Sequence, residues 1–542
     1  MFDSFNSKYS GGGKVEIIKI KDFNFSYPNS DIKALKDINL TINKGELILL
    51  CGLSGSGKST LLKNIKLSLA PHGDVSGSIM YKGKDIHNLS VREEVTSIGM
   101  VTQGFSNQIV TDRVYHEIAF IMENLGWDSD IIRIKVSEIA SYFGLEDIIE
   151  SSIDTLSGGQ KQLINLASVM VVNPEVLILD EPTAQLDPIA RDEFIERIKK
   201  VNDELGMTII IAEHNLENIM AYADKVVIME KGQIIYNDIP HNIGNILCKD
   251  TNNIFESMPT PVRLYKSIGI GDECPISLKE GRRYIDSIDI NNHINTYVNN
   301  IKQKNDIIIE LKDVCYKYTK NANDIVRDLN LKIYNNEIFT ILGGNGAGKS
   351  TTLNLLCKIY KPYMGKIKYK MKKEDKVVLL PQDPETIFSK DTVLEELKET
   401  CIGNVEDIVQ MLDVEELLDK NPYDLSGGEK QKVAIGKVLG LKPKVLLLDE
   451  ITKGLDNHYK NKIGEILKAL KKEGITIVMV THDIEFAAKY SDKCAMLFNK
   501  TIVSVKNPFD FFVENNFYTT AVCKMTRGKV KAVTIEDVVK KI

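Results

Sequence analysis

Short, unbroken apolar runs recur along this chain, each closed by a glycine, an acid or a histidine. "GELILLCG" (45–52), "EVLILD" (175–180) and "MTIIIAEH" (207–214) carry consecutive apolar positions with no polar alternation. Such runs predict strands buried on both faces. "KSTLLKNIKLSL" (58–69) instead spaces its apolar residues three and four apart and predicts a helix. The order strand, glycine loop, helix, met again and again, implies an α/β fold with a mainly parallel sheet wrapped by helices.

The pattern is written twice. "ILLCGLSGSGKSTLL" (48–62) returns as "TILGGNGAGKSTTL" (340–353), and "TLSGGQKQ" (155–162) as "DLSGGEKQ" (424–431). "EVLILDEPTAQLD" (175–187) returns as "KVLLLDEITKGLD" (444–456). The gap from serine to aspartate is 23 in both copies (180 − 157 and 449 − 426). Two copies of one domain of about 200 residues or more account for this, not a solenoid. Domain 1 is expected over 15–250 and domain 2 over 305–506, with a flexible stretch over 1–14. Residues 251–304 read as a linker or accessory segment: they hold Pro259, Pro261, Pro275 and the Asn-rich "DINNHINTYVNN" (289–300). Residues 507–542 read as a C-terminal extension.

Charge and composition narrow the functions. The formal net charge is −6, so no bulk positive field points to nucleic acid. Eight cysteines are scattered with no CxxC pair, which favours a reduced, cytoplasmic setting over a disulfide framework. "MFDSFNSKYSGGGK" lacks the apolar core of a signal peptide. No apolar run approaches the ~20 residues that span a bilayer, so a membrane role requires a separate partner.

"GLSGSGKST" (52–60) and "GGNGAGKST" (343–351) both fit G-x-x-x-x-G-K-[ST]. Glycines let several backbone N–H groups converge on a phosphate. Lys58 and Lys349 then reach its β/γ oxygens, and Ser59 and Ser350 can ligate Mg²⁺. Asp180 and Asp449 end buried strands, placed to hold the same Mg²⁺. Glu181 and Glu450 follow them and can polarise an attacking water. Gln103 and Gln382 follow short apolar runs and can sense Mg²⁺ and a conformational change. His214 and His482 close strands and can bridge γ-phosphate and water. Tyr27 and Tyr318, each 31 residues before its lysine (58 − 27 and 349 − 318), offer rings for a base to stack on.

The ordered set resembles the ATP-binding-cassette (ABC) ATPases, twice over, and the "LSGGQ"-type signature is its most specific part. The resemblance implies two tandem phosphate-loop NTPase domains. Each has a mainly parallel sheet with flanking helices, an antiparallel β subdomain and a helical subdomain that carries the signature. It implies ATP and Mg²⁺ as ligands. In domain 1, Gly52, Ser54, Gly55, Gly57 and Thr60 would join Lys58 and Ser59 around the phosphates. In domain 2, Gly343, Asn345, Gly346, Gly348 and Thr351 would join Lys349 and Ser350. The signature residues Ser157, Gly158 and Gly159 would grip the nucleotide held by the other domain, as would Ser426, Gly427 and Gly428, in a head-to-tail pairing. Asp187 and Asp456, in the "LD" loops, would line the seams.

A narrower resemblance links "SNQIVTDRVYHEIAFIMENLG" (106–126), "PQDPETIFSKDTVLEEL" (381–397), "AEHN" (212–215) and "MPTPVRL" (258–264) to energy-coupling-factor-type importers. It implies a transmembrane transporter subunit and a separate substrate-capture membrane subunit as partners. It further implies a peripheral place on the cytoplasmic face of the membrane and a vitamin or transition-metal ion as cargo. The alternative is a soluble tandem-cassette ATPase acting on ribosomes, but such relatives usually carry a longer, charged helical linker. A DNA-repair cassette would want a long coiled-coil insertion, and none is present. Domain 2 departs from the pattern at Ile451, where domain 1 has Pro182, and at Glu429, where domain 1 has Gln160. Neither change removes a group needed for hydrolysis, so two competent sites are expected.

Overall fold

The apolar runs fold as strands with both faces covered. The computed structural model describes residues 15–28, 32–104, 108–249, 253–271, 273–289 and 306–542. They divide into two units between Ile246 and Leu247. The first holds β1 (Glu16–Ser26), β2 (Leu35–Asn43), β3 (Leu47–Cys51), β4 (Asp74–Tyr81), β5 (Lys84–Asp85), β6 (Ile98–Val101), β7 (Val176–Asp180), β8 (Thr208–Ala212), β9 (Lys225–Glu230) and β10 (Gln233–Asp238). Strands β10-β9-β3-β8-β7-β6 form one six-stranded sheet, parallel except for β10 against β9. Strands β2-β1-β4-β5 form a second, antiparallel sheet.

These two sheets close over one core, in which Ile48 and Leu50 of β3 meet Phe25, Ile38 and the helical Leu61, Leu62 and Ile65. The helices Val114–Asn124, Ser129–Phe143 and Gly158–Met170 pack on one another as a separate layer.

The second unit repeats the plan with β11 (Ile307–Tyr316), β12 (Val326–Tyr334), β13 (Ile338–Leu342), β14 (Met364–Tyr369), β15 (Val377–Leu380), β16 (Val445–Asp449), β17 (Thr476–Thr481), β18 (Lys493–Phe498) and β19 (Thr501–Lys506). Its sheets run β15-β16-β17-β13-β18-β19 and β12-β11-β14. The fold is therefore two tandem α/β phosphate-loop domains.

Register fixes what lies at the sheet's carboxyl edge. β7 pairs with β8 so that Asp180 lies beside Ala212, and β3 pairs with β8 so that Leu50 lies beside Ala212 too. In the second unit Asp449 pairs with Val480, and Leu342 with Thr481. The residues just beyond three strands thus share one edge, the place where ligands bind in open parallel sheets.

Segments 253–289 and 507–542 meet in the second unit. Leu264 and Ile285 share a small core with Val522, Met525, Ala532 and Val538. Lys529 Nζ caps the helix Leu278–Ser287 by donating to Ile285 O (2.7 Å), Asp286 O (2.8 Å) and Ile288 O (2.6 Å). Ile290 and the rest of the Asn-rich stretch to residue 300 lie outside the described residues, as do residues 1–14.

Candidate active sites

In the first unit the chain leaves β3, turns through Gly52, Ser54 and Gly55, and enters the helix Lys58–Ile65 at Gly57. Gly57 has φ 99°, and a Cβ there would meet Ala34 O at 2.9 Å. Gly348 has φ 100°, with Ile325 O at 2.8 Å from such a Cβ. Only glycine fits both the conformation and the space. Lys58 Nζ arches back over the loop to Gly52 O (2.8 Å) and Leu53 O (3.2 Å). Lys349 does the same to Gly343 O (3.0 Å) and Gly344 O (3.1 Å) in the turn that also holds Asn345 and Gly346.

The strand-end acids meet these loops. Ser59 Oγ donates to Asp180 Oδ1 at 2.9 Å, and Ser350 Oγ to Asp449 Oδ1 at 3.1 Å. Glu181 meets a glutamine and a histidine: Gln103 Nε2 donates to its Oε2 at 2.8 Å, and His214 Nε2 stands 2.7 Å from its Oε1. Glu450 Oε2 takes the His482 N–H at 3.2 Å and lies 2.9 Å from His482 Nδ1, while Lys349 Nζ is 3.5 Å from Oε1. No hydrogen bond joins the exposed Gln382 to Glu450 among the described residues. The two copies therefore present the histidine through different ring nitrogens and engage the glutamine differently.

Tyr27 and Tyr318 stand out from the core, 43% and 55% exposed. Their hydroxyls lie 3.0 Å from Thr60 Oγ1 and 2.9 Å from Thr351 Oγ1, which ties each ring to its phosphate loop. Asp187 Oδ1 caps the helix Pro188–Leu205 through Ala190 N–H (2.9 Å), and Asp456 Oδ1 caps Asn457–Lys472 through Tyr459 N–H (2.9 Å).

Among the described residues no hydrogen bond joins a signature residue to this cluster within its own unit. Among the described residues Ser157 bonds within its own helix, through N–H and Oγ to Gln160 Oε1 (2.9 and 3.0 Å). Gly158 and Gly159 form that helix's first turn, as Gly427 and Gly428 do in the second copy. Ser426 uses Glu429 Oε2 in the same way (2.9 Å from N–H, 2.6 Å from Oγ). Glu429 thus does the local work of Gln160 but sets a negative charge at an N-terminus that otherwise favours anions.

Electrostatics separate the carboxylates. Burial pushes Asp180 up, a hydrogen bond from Ser59 opposes it, and the charge of Glu181 adds to the rise. Burial likewise pushes Asp449 up to about 6. For Glu450 burial works in the upward direction, but hydrogen bonds and charge from His482, with the charge of Lys349, hold it below the usual range. Paired hard oxygens at the foot of each loop, one of them from a largely buried carboxylate, fit Mg²⁺ completed by phosphate and water oxygens.

One acid is missing from the sequence-based candidates. Glu213 is buried directly after β8, and its Oε1 accepts Thr183 N–H at 3.0 Å. Burial pushes its carboxyl up to about 7, and the charge of Glu181 adds to the rise. The readable signal is an ionisable residue wedged between a buried strand and a histidine.

A parallel sheet with a glycine loop, acids and a histidine at one edge is the arrangement of a nucleotide-hydrolysing phosphate-loop protein, present here twice. The family model described as ABC transporter matches residues 35–184 and 326–453. The chain belongs to that family and is an ATPase. A "putative ABC transporter ATP-binding protein" of Bacillus cereus is 39% identical over 96% of this chain and 97% of the relative. One of the same description from Clostridium tetani is 36% identical over 77% of this chain and 97% of the relative. Among solved structures, one described as RNase-L inhibitor has a TM-score of 0.59 at 18% identity, covering 91% of this chain and 92% of that one. At that identity the likeness concerns the fold alone.

Glu213 generates a pH prediction. A carboxyl raised from 4.5 to about 7 in the fold favours folding while protonated, and that contribution is lost as pH rises through about 7. Glu213→Gln removes the cost of ionisation. Thermal melts of the full chain without nucleotide should show the variant gaining on the parent between about pH 5 and 7 and levelling off above. A difference independent of pH would contradict the assignment.

Proposed function

We propose that this chain is the ATP-hydrolysing subunit of an energy-coupling-factor-type importer, driving uptake of a vitamin or a transition-metal ion through separate membrane subunits. The observation that carries this reading is how the segment after each strand-end glutamine is built. Gln108 accepts Thr102 N–H (3.0 Å), donates to Met100 O (2.8 Å) and accepts Asn165 Nδ2 from the signature helix (3.1 Å). Buried Glu117 accepts Val110 N–H (3.1 Å) and Thr111 N–H (2.8 Å). In the second unit Glu396 accepts the N–H groups of Ser389 and Lys390, and Lys430 of the signature helix reaches Glu385 Oε1 (2.6 Å).

Each segment is thus fastened to its signature helix. In the first unit it also exposes Val110 and Phe120. A stiff, partly apolar surface mechanically joined to the signature suits a membrane subunit that must feel the ATPase cycle. Ser106 and Asn107, part of the importer-like stretch, lie outside the described residues. Among the described residues no helix is long and apolar enough to cross a membrane. That fits a peripheral subunit on the cytoplasmic face, whose partners are a transmembrane transporter subunit and a substrate-capture subunit.

In the proposed mechanism Lys58 and Lys349 hold the β/γ-phosphate oxygens, and the exposed tyrosine rings stack on adenine. Ser59 with Asp180, and Ser350 with Asp449, would hold Mg²⁺, with Gln103 and Gln382 at its edge. Mg²⁺ held there would supply positive charge against the charge that develops on the phosphate. Glu181 and Glu450, oriented by their histidines, take a proton from the attacking water. The water oxygen bonds to the γ-phosphorus as its bond to the bridging oxygen breaks.

Each ATP is completed by the signature of the other unit: Ser426, Gly427 and Gly428 for the Lys58 site, and Ser157, Gly158 and Gly159 for the Lys349 site. Contacts made only in the closed state make ATP a ligand for closure. A swing from 1:99 to 99:1 needs about 5.5 kcal/mol. A handful of charge-assisted hydrogen bonds at about 1.5–3 kcal/mol each supplies it.

Two experiments test this reading. Affinity purification of the full chain from gently solubilised cells should retain integral membrane proteins; ribosomal RNA in their place would contradict it. The Glu181→Gln/Glu450→Gln chain should bind ATP and release phosphate at least about 100-fold more slowly. Undiminished phosphate release would remove both glutamates from the role of base.

A further inference from the structure

The two copies differ at a matched pair of positions behind the strand-end glutamate. The first has Pro182 and Glu213; the second has Ile451 and Thr481. Glu181 sits at φ 49°, a left-handed conformation that strains a residue with a side chain. It also precedes a proline, which normally drives the residue before it to extended backbone. Strain of this kind persists only where the surroundings over-determine it.

Glu181 N–H is anchored to Ala212 O at 2.9 Å. Pro182 brings no N–H, so the next backbone donor is Thr183, and its N–H goes to Glu213 Oε1 at 3.0 Å. Glu213 is only 3% exposed, and its own N–H reaches Leu50 O of β3 at 3.3 Å. The turn beyond closes with Leu186 N–H on Thr183 O at 3.0 Å. In the second copy Glu450 has φ 50° but no following proline, and the hydroxyls of Thr452 and Thr481 meet at 3.3 Å instead. The charges that act on Glu213 are Glu181 at the start of the turn and Arg191 on the helix Pro188–Leu205.

We propose that Glu213 is a positioning residue for hydrolysis at the first site: as the buried acceptor for Thr183 N–H, it holds the Glu181–Leu186 turn in a geometry that the pre-proline backbone alone would not keep. This rests on the reading of Glu181 as the base. Glu213 acts through its bond to Thr183 and is therefore assigned a positioning role. What the site needs from it is an acceptor at one place, and a hydroxyl-bearing Thr at 213 would be too short to replace it while Pro182 remains. In the second copy the shorter Thr481 works with Ile451, so the two positions form a coupled pair.

The test uses the full chain with Glu450→Gln, so that turnover reports the first site. Glu213→Leu should lower kcat by about tenfold or more while KM and ATP binding stay within about twofold, the signature of misplaced rather than missing groups. Glu213→Gln keeps an acceptor oxygen and should hold kcat within about threefold of the parent. Should the leucine chain fail to fold, Glu213→Thr carries the test: it should be impaired alone and recover when Pro182→Ile is added. Unchanged kcat in the leucine or threonine chain overturns the proposal, as does a glutamine chain as slow as the leucine chain. Loss of ATP binding in step with kcat also overturns it. Adding Glu181→Gln to the same background must abolish turnover; if it does not, the assignment of the base has failed, separately from the role of Glu213.

Discussion

Both sites depend on the parallel register of three neighbouring strands. β3, β7 and β8 end level, so the phosphate loop, the Asp180–Glu181 pair and the Glu213–His214 pair emerge side by side. β13, β16 and β17 repeat this in the second unit. A slip of one residue between β7 and β8 would turn every side chain of the moved strand to the opposite face. It would carry Asp180 away from Ser59 and Glu181 away from His214. The buried apolar side chains that fix this register therefore position the polar groups at the strand ends.

On that shared frame the two copies differ in their second layer of contacts. Gln103 grips Glu181, whereas Gln382 leaves Glu450 to His482 and Lys349. Glu429 puts a charge where Gln160 has an amide. An ionisable Glu213 backs the first site, and the uncharged Thr481 backs the second. On the proposed assignment of the base, two sites with matching groups but unlike supports differ in rate and in pH response.

The frame was legible in sequence because burial on both faces leaves a strand no polar alternation, as in "VLILD" and "TIIIA". The Ser59–Asp180 meeting was legible because a phosphate loop and a strand-end acid are each recognisable locally. Glu213 was not: its contact with Thr183 joins residues 30 apart, and only the fold makes them neighbours. The tie between Gln108 and Asn165 was hidden for the same reason, since the two residues stand 57 apart and meet only in the fold. The packing of 253–289 on 507–542 could not be read either, because the short helices carry too few apolar positions each to announce a shared core.

Each unit gathers a phosphate loop, a strand-end acid, a glutamate and a histidine, while among the described residues its signature serine bonds within its own helix. The proposed mechanism assigns the signature contact on each nucleotide to the other unit. The most direct measurement compares Ser426→Arg with Ser157→Arg in the full chain carrying Glu450→Gln, reading phosphate release from the Lys58 site. The account predicts that Ser426→Arg costs at least about tenfold more than Ser157→Arg. Equal losses, or a greater loss from Ser157→Arg, would contradict it.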